Sequence, residues 1–139
     1  GHIDLASKTN SQIIYGPGAK TEYKVYNAVH EEEFTLGTIS IKVLHTPGHT
    51  PGSQCFKVNN NLISGDTLFI QGCGRVDLPG SDSEQMYHSL KHLSSLPDET
   101  MLYPGHHYSE EESATLGEVK EKNVHMRITD LETWKELMG

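Results

Sequence analysis

The sequence contains little cysteine. Cys55 and Cys73 are the only two cysteines among 139 residues, and they lie far apart in the chain. Small secreted domains that depend on disulfides carry several cysteines at close spacing, and this chain has no such pattern. We therefore expect free thiols and a reducing, cytoplasmic location.

Long apolar runs are also missing. No segment has the ~20 consecutive apolar residues that a membrane-spanning helix needs, and no charged start followed by an apolar stretch indicates a signal peptide. Apolar residues make up 35% of the chain, which is enough for a modest core. The length is that of one ordinary domain, and no linker or low-complexity segment divides it. We expect a single domain over residues 1–139, with no membrane partner.

Positive charge is scarce. The chain has 11 Lys and Arg residues against 19 Asp and Glu residues, and its formal net charge is −8. Proteins that bind nucleic acid normally present a basic patch to the phosphate backbone, and no run of Lys and Arg offers one here. The charge balance argues against a nucleic-acid partner.

Alternating and helical apolar patterns predict an α+β fold, in which hairpin-connected strands form sheets and a few helices cover their outer faces. The segment 19–32 is ambiguous between strand and helix. The N-cap residue Asp130 indicates where the last helix begins. The predicted helices are 3–9, 83–96, 114–123 and 130–138, and the predicted strands are 12–15, 33–36, 38–44, 54–58, 62–64 and 100–103.

Three strand ends share one local pattern. Each apolar run ends in a short turn with a glycine, and the next residue is His49, Asp66 or His106. Glycine lets the backbone bend and approach a ligand closely. Imidazole and carboxylate are the usual protein ligands of zinc and iron. If the three strand ends meet at one edge of a sheet, the residues could form a metal site. The pattern alone leaves a metal site and ordinary hydrogen-bonded side chains equally open.

The other histidines carry a weaker signal. His88 and His92 have the i, i+4 spacing of a metal-binding pair, but they lack the Glu that accompanies such a pair in zinc proteases. An exposed helix face explains them better. Structural or solvated roles are expected for five histidines: His2, His30, His88, His92 and His125.

Four stretches resemble, in order and spacing, successive motifs of the metallo-β-lactamase superfamily. The likeness is greatest to its glyoxalase II (hydroxyacylglutathione hydrolase) and persulfide dioxygenase branch, and it extends over about residues 1–125. It implies an αββα sandwich with a metal site at one edge. The stretches are TPGHT at 46–50, GDTLF at 65–69, GCGR at 72–75 and YPGH at 103–106.

The resemblance also implies roles for individual residues. His49 and His106 would each ligate a metal, and Asp66 would be a catalytic carboxylate that can bridge two zinc ions. Tyr108 and Arg75 would contact the thiol carrier of the substrate. For Arg75, a structural salt bridge is an equally good interpretation.

One family motif is missing from the sequence. The leading His-x-His-x-Asp-His ligands should lie just before the helix at Ile3, and the chain starts there with Gly1 and His2. We therefore expect a sandwich that is incomplete at its N-terminus, like the C-terminal part of such an enzyme. With at most three ligands present, we expect weak metal binding and no turnover by these 139 residues themselves.

The resemblance favours a metal-dependent hydrolase of the glyoxalase II type. Such an enzyme would hydrolyse a thioester, for example an acylglutathione, through a metal-bound hydroxide. One alternative is a persulfide dioxygenase with one Fe(II), in which His49 and Asp66 would be ligands and His106 would lie outside the ligand set. The other is a catalytically inactive fragment or an interaction module.

The missing strands also predict exposed apolar surface. Unpaired edge strands are templates for pairing with another chain. The candidate segments are 13–15 and 39–44, in which Lys42 is the only charge. We therefore expect self-association, as in a homo-oligomer.

Overall fold

The computed structural model describes residues 1–138. It is an α+β structure, as the sequence predicts. The helices are α1 (His2–Thr9), α2 (Ser83–Ser94), α3 (Leu116–Lys122), α4 (Val124–Arg127) and α5 (Leu131–Met138), and the strands are β1 (Ile14–Tyr15), β2 (Tyr26–Asn27), β3 (Glu33–Leu36), β4 (Ile39–His45), β5 (Gln54–Val58), β6 (Asn61–Gly65), β7 (Met101–Pro104) and β8 (Ala114–Thr115).

Six strands form one mixed sheet in the order β3-β4-β5-β6-β7-β8. The pair β6 and β7 is parallel, and the other neighbouring pairs are antiparallel. Strands β4, β6 and β7 consequently run in the same direction. Their carboxyl ends reach the same edge of the sheet, where Gly65 is paired with Pro104.

One face of this sheet packs against helices α2 to α5. Leu44, Leu62 and Leu102 point to this face and are buried in a single apolar cluster with residues of the helices. Trp134 of α5 is fully buried in that cluster, and its indole Nε1–H donates to the carbonyl of Ser83 at 2.8 Å. Because a buried indole N–H needs a partner, this bond fixes α5 against the start of α2.

The opposite face of the sheet is also apolar. Val43, Phe56, Ile63 and Tyr103 lie directly opposite one another across β4 to β7. Ile63 is 48% exposed and Tyr103 is 44% exposed. A sheet that is apolar on both faces usually has a layer on each side; in residues 1–138 Val43 is buried, whereas the part of the row on β6 and β7 stays exposed.

The exposed apolar surface differs from the predicted one. Strand β4 lies between β3 and β5, so the expectation of an unpaired edge at 39–44 is wrong. In the other candidate segment, Ile14 and Tyr15 pair in parallel with Tyr26 and Asn27 of β2. For 39–44 both partners are the neighbouring strands of the predicted hairpins, so the hairpin pattern already argued against an unpaired edge. Exposed apolar residues lie on the sheet face, at Ile63 and Tyr103, and also on the edge strand β3, where Leu36 is 69% exposed.

Most of the predicted helices and strands are present, and their ends differ from the prediction where contacts with distant residues determine the local structure. The predicted helix 114–123 is wrong at its start, because residues Ala114 and Thr115 pair with β7 as strand β8. Asp130 caps α5 as predicted, since its Oδ1 accepts from the backbone N–H of Thr133 at 2.8 Å. No helix in the described part of the chain is long and apolar enough to cross a membrane.

The expectation of an exposed face for both His88 and His92 is half wrong. His88 is exposed, whereas His92 is partly buried and its Nε2 has no hydrogen-bond partner. The imidazole of His92 packs edge-to-face on His30, with 5.0 Å between the ring centroids. Sequence spacing places two residues on one side of a helix, but it does not reveal which neighbour covers one of them.

Candidate metal centre

His49, Asp66 and His106 converge at the shared sheet edge, as the sequence predicts. Nε2 of His106 lies 3.2 Å from Oδ1 of Asp66, and Nε2 of His49 lies 3.7 Å from Oδ2 of the same carboxylate. The three side chains come from the turns that follow β7, β6 and β4. Because those strands run in the same direction, their ends bring together residues that are up to 57 positions apart in the sequence.

Two turns at this edge depend on glycine. Gly48, just before His49, has a φ of +142°, and a Cβ there would lie 2.5 Å from Cα of Met86 in α2. A side chain would force the turn away from the helix. Gly105, just before His106, donates its backbone N–H to the carbonyl of Gly65 at 2.8 Å, and a Cβ there would lie 2.7 Å from Oδ1 of Asp66 and 2.9 Å from the carbonyl carbon of Gly65.

The imidazole of His49 is oriented by a backbone carbonyl. Its Nδ1 lies 2.9 Å from the oxygen of Arg75, which can only accept, so Nδ1 carries the proton. In the neutral ring, Nε2 then presents its lone pair to the carboxylate of Asp66. Two electron-rich groups that face each other at 3.7 Å are suited to a cation between them.

The three side chains are of the types that bind metals, but they would surround an ion only in part. His49 and His106 approach different oxygens of Asp66, which is the arrangement of a carboxylate between two imidazoles. Over residues 1–138, no group of three or more His, Cys, Asp or Glu side chains is arranged so that it could hold a metal ion. The chemistry of the donors suits zinc or iron, and these three residues alone would not hold the ion tightly.

An open cleft of about 530 Å³ lies directly beside these three residues. Its aromatic wall is formed by Phe69 and Tyr108. The Tyr108 ring stacks on the His106 imidazole at 5.1 Å between centroids with an interplanar angle of 17°, and it meets Phe69 edge-to-face at 5.1 Å. Tyr108 is 69% exposed, so its outer face is available to a bound molecule.

Arg75 lines the same cleft and forms a salt bridge. Its Nε and Nη2 atoms donate to the two carboxylate oxygens of Asp77 at 2.9 and 2.8 Å. This pairing lowers the pKa of the Asp77 carboxyl and raises the pKa of the Arg75 guanidinium. The salt bridge that was one interpretation of Arg75 is therefore present, with Asp77 as the partner. The backbone carbonyl of Arg75 has a separate role at His49.

Neither cysteine is poised as a nucleophile. Burial raises the pKa of Cys55 to about 11 and that of Cys73, which lines the cleft, to about 12. Both thiols are free and protonated at neutral pH. The chemistry of this cleft must therefore come from the histidines, the carboxylate and whatever they bind.

Two residues at the site were not singled out from the sequence. Gly74 is packed so closely that a Cβ would lie 1.9 Å from the backbone oxygen of Asp66. Asn123 reaches the cleft loop from the end of α3 and is fully buried. Gly74 lay within a recognised motif, but nothing local distinguishes Asn123 from an ordinary helix-capping residue.

The sequence profile of the metallo-beta-lactamase superfamily matches residues 4–106. The chain therefore belongs to this superfamily. The match includes all three residues of the candidate metal centre.

Curated relatives are similar over part of their length. A hydroxyacylglutathione hydrolase of Bartonella henselae is 47% identical over 103 residues, which is 70% of this chain and 40% of that protein. A probable polyketide biosynthesis zinc-dependent hydrolase of Bacillus velezensis is 33% identical over 137 residues, or 91% of this chain and 61% of that protein. The chain thus spans about half the length of these relatives.

Solved structures share the fold. The crystal structure of ETHE1 from Myxococcus xanthus has a TM-score of 0.87 and 30% identity, covering 97% of this chain and 60% of that one. A protein solved in a di-iron-bound form, TTHA1623, has a TM-score of 0.70 and 30% identity, covering 88% of this chain and 68% of that one. The α+β fold is that of the metallo-β-lactamases, and relatives within it bind metals.

Proposed function

We propose that this chain carries one side of the active site of a metal-dependent thioester hydrolase of the glyoxalase II type, with an acylglutathione as substrate. The observation that carries the proposal is the convergence of His49 and His106 on the two carboxylate oxygens of Asp66. The names of the hydroxyacylglutathione hydrolase and zinc-dependent hydrolase relatives support the reaction class.

Zinc is the metal that this donor set suits best, and His49, Asp66 and His106 would hold it. A bound zinc ion lowers the pKa of water and polarises a carbonyl group. Asp66 supplies negative charge between the two imidazoles. The Arg75 carbonyl keeps the Nδ1 proton on His49, so that Nε2 remains a ligand.

The aromatic wall is suited to the substrate. The exposed face of Tyr108 and the edge of Phe69 offer an apolar surface beside His106, against which an acyl group or the thiol carrier can pack. Arg75 at the cleft offers positive charge to a carboxylate of the carrier. That interaction competes with Asp77, so we expect a modest contribution to binding rather than to the chemical step.

A matched pair of histidine variants tests the metal site. His106→Gln removes a proposed ligand. His107→Gln removes the next residue, an exposed side chain whose Nε2 lies 3.3 Å from the carbonyl of Glu110. We expect zinc affinity, measured by titration calorimetry on these 139 residues, to fall at least about tenfold in His106→Gln and to remain unchanged in His107→Gln. Equal affinities in the two variants would remove the basis of the proposal.

The reaction is tested in the complete gene product. Zinc-loaded protein should hydrolyse an acylglutathione, and Asp66→Asn should lower kcat/KM by at least about a hundredfold. Arg75→Gln should raise KM by a few fold with kcat nearly unchanged. Zinc-loaded protein that leaves the thioester intact would reject the hydrolase.

An iron-dependent persulfide dioxygenase is the second candidate. One observation favours it. His49 is held by the Arg75 carbonyl and its side chain is 20% exposed, whereas the side chain of His106 is 50% exposed and stacks on Tyr108. In this interpretation His49 and Asp66 would be two of the three iron ligands, and His106 would lie outside the ligand set. Oxygen consumption with glutathione persulfide by the iron-loaded gene product, undiminished in His106→Gln, would favour it.

A further inference from the structure

Asn123 is a fully buried polar residue that connects two distant parts of the structure. It lies between α3 and α4 and has no exposed surface. Its Nδ2 group donates to the carbonyls of Phe69 and Gly72 at 3.0 and 2.9 Å. Its Oδ1 accepts from the backbone N–H of His125 at 3.0 Å. Every hydrogen-bonding group of the carboxamide is therefore used.

Helix capping explains only one of these three bonds. The bond from His125 is the usual N-cap interaction at the start of α4 and needs only a side-chain oxygen. The two amide hydrogens instead bind a turn more than 50 residues earlier. That turn is closed by a bond from the Phe69 N–H to the Gly72 carbonyl at 2.9 Å. Asn123 therefore binds both ends of the turn at once.

The turn that Asn123 holds leads into the candidate metal centre. Its first residue, Phe69, forms the aromatic wall with Tyr108, and its ring lies 6.1 Å from that of His106. Three residues after the turn, the carbonyl of Arg75 accepts the Nδ1 proton of His49. The loop 69–75 thus carries the Phe69 ring beside His106 and the Arg75 carbonyl beside His49.

We propose that Asn123 is a positioning residue for this site. By fixing the carbonyls of Phe69 and Gly72, it holds the loop 69–75 so that the Arg75 carbonyl meets His49 and the Phe69 ring meets Tyr108. Its relevance to catalysis rests on the proposed function. Whether Asn123 positions the loop 69–75 and His49 is a separate question, and it can be measured without an activity assay.

The variant Asn123→Ser separates the two roles of the side chain. Serine is a good N-cap, so its hydroxyl can still accept from the His125 N–H. It cannot reach both carbonyls of the turn, which lose their buried donors. Asn123→Asp is the second variant, because it also keeps the cap and lacks the amide donors. The matched control is Val119→Ala, on helix α3 four positions before Asn123, at a position that is also fully buried.

The first readout is the loop itself. At equal thermodynamic stability, adjusted with urea, we expect amide hydrogen exchange at residues 69–75 to be at least about tenfold faster in Asn123→Ser than in Val119→Ala. The nitrogen signals of the His49 imidazole should shift toward a mixture of tautomers in Asn123→Ser and remain unchanged in Val119→Ala. Zinc affinity should fall about 10- to 100-fold in Asn123→Ser alone.

The outcomes distinguish this inference from the proposed function. If Asn123→Ser and Val119→Ala show the same exchange and the same His49 signals, Asn123 is only a structural residue and the inference is overturned. If loop and His49 respond as expected in a gene product that does not hydrolyse thioesters, the positioning role is supported and the hydrolase is rejected. If the gene product hydrolyses thioesters and Asn123→Ser leaves the exchange, kcat and KM unchanged, the hydrolase is supported and the inference is overturned.

Discussion

Gly74→Ala is the substitution with the sharpest structural expectation. A Cβ at Gly74 would lie 1.9 Å from the backbone oxygen of Asp66 and 3.0 Å from Cβ and Cγ of His49. The backbone N–H of Gly74 also bonds to the carbonyl of Thr67 at 3.3 Å, so this segment is tied to the strand end that carries Asp66. One added methyl group therefore pushes on two proposed metal ligands at once.

The size of the effect follows from the overlap. Carbon and carbonyl oxygen normally approach no closer than about 3.3 Å, so the loop or the Asp66 backbone must move by more than ~1 Å. Overpacking of this kind costs about 1–3 kcal/mol of unfolding free energy, because rigid backbone rather than a flexible side chain must yield. A displacement of ~1 Å at reacting groups lowers the rate about a hundredfold. We expect Gly74→Ala to lose about 2 kcal/mol of stability and most of its zinc affinity.

Gly72→Ala is the matched control. It lies two positions earlier in the same loop, and a Cβ there has no atom within 4 Å. Its carbonyl remains free to accept from Asn123. Urea unfolding followed by Trp134 fluorescence gives the stability, and calorimetry gives the zinc affinity. Equal results for the two alanine variants would refute the close packing of Gly74 against Asp66 and His49.

Three further outcomes are expected. Burial and the neighbouring His30 lower the pKa of His45 from its ordinary value of 6.5, and the same two causes lower the pKa of His92. The two neutral rings therefore stabilise the fold fully above about pH 6.5, and this stability is lost as the pH falls. The urea midpoint should drop at mildly acidic pH, and it should drop less in His92→Gln. Asp130→Ala should lower the unfolding free energy by about 1 kcal/mol in urea titration, because α5 loses its N-cap. Ile63→Thr should weaken any self-association through the apolar sheet face, and sedimentation at several concentrations that shows no difference from the parent chain would argue against this face.

The sequence predicted what is determined locally. The hairpin strands and α2 have periodic apolar patterns, and these predict their type wherever they occur. His49, Asp66 and His106 were found because each follows a glycine turn at a strand end. In the structure, the shared direction of the three strands brings these ends together, which the local pattern had offered only as a possibility.

The sequence did not predict what depends on partners far along the chain. Residues 114–115 have a helical pattern but form a strand because β7 offers an unpaired edge. The burial of His92 depends on His30, which comes from a loop 62 positions earlier. The two donor bonds of Asn123 span more than 50 residues. Propensity reports on neighbours in sequence, whereas these features are set by neighbours in space.

The position of each proposed ligand and the direction of its ring have different origins in the chain. The glycine turns before His49, Asp66 and His106 place the backbone of these residues, but they do not by themselves fix the direction of an imidazole. For His49 that direction comes from the Arg75 carbonyl, on a loop that Asn123 holds by hydrogen bonds from the junction of α3 and α4. A chain with intact motifs and an altered residue 123 would therefore keep its family resemblance while the proposed metal site lost its geometry.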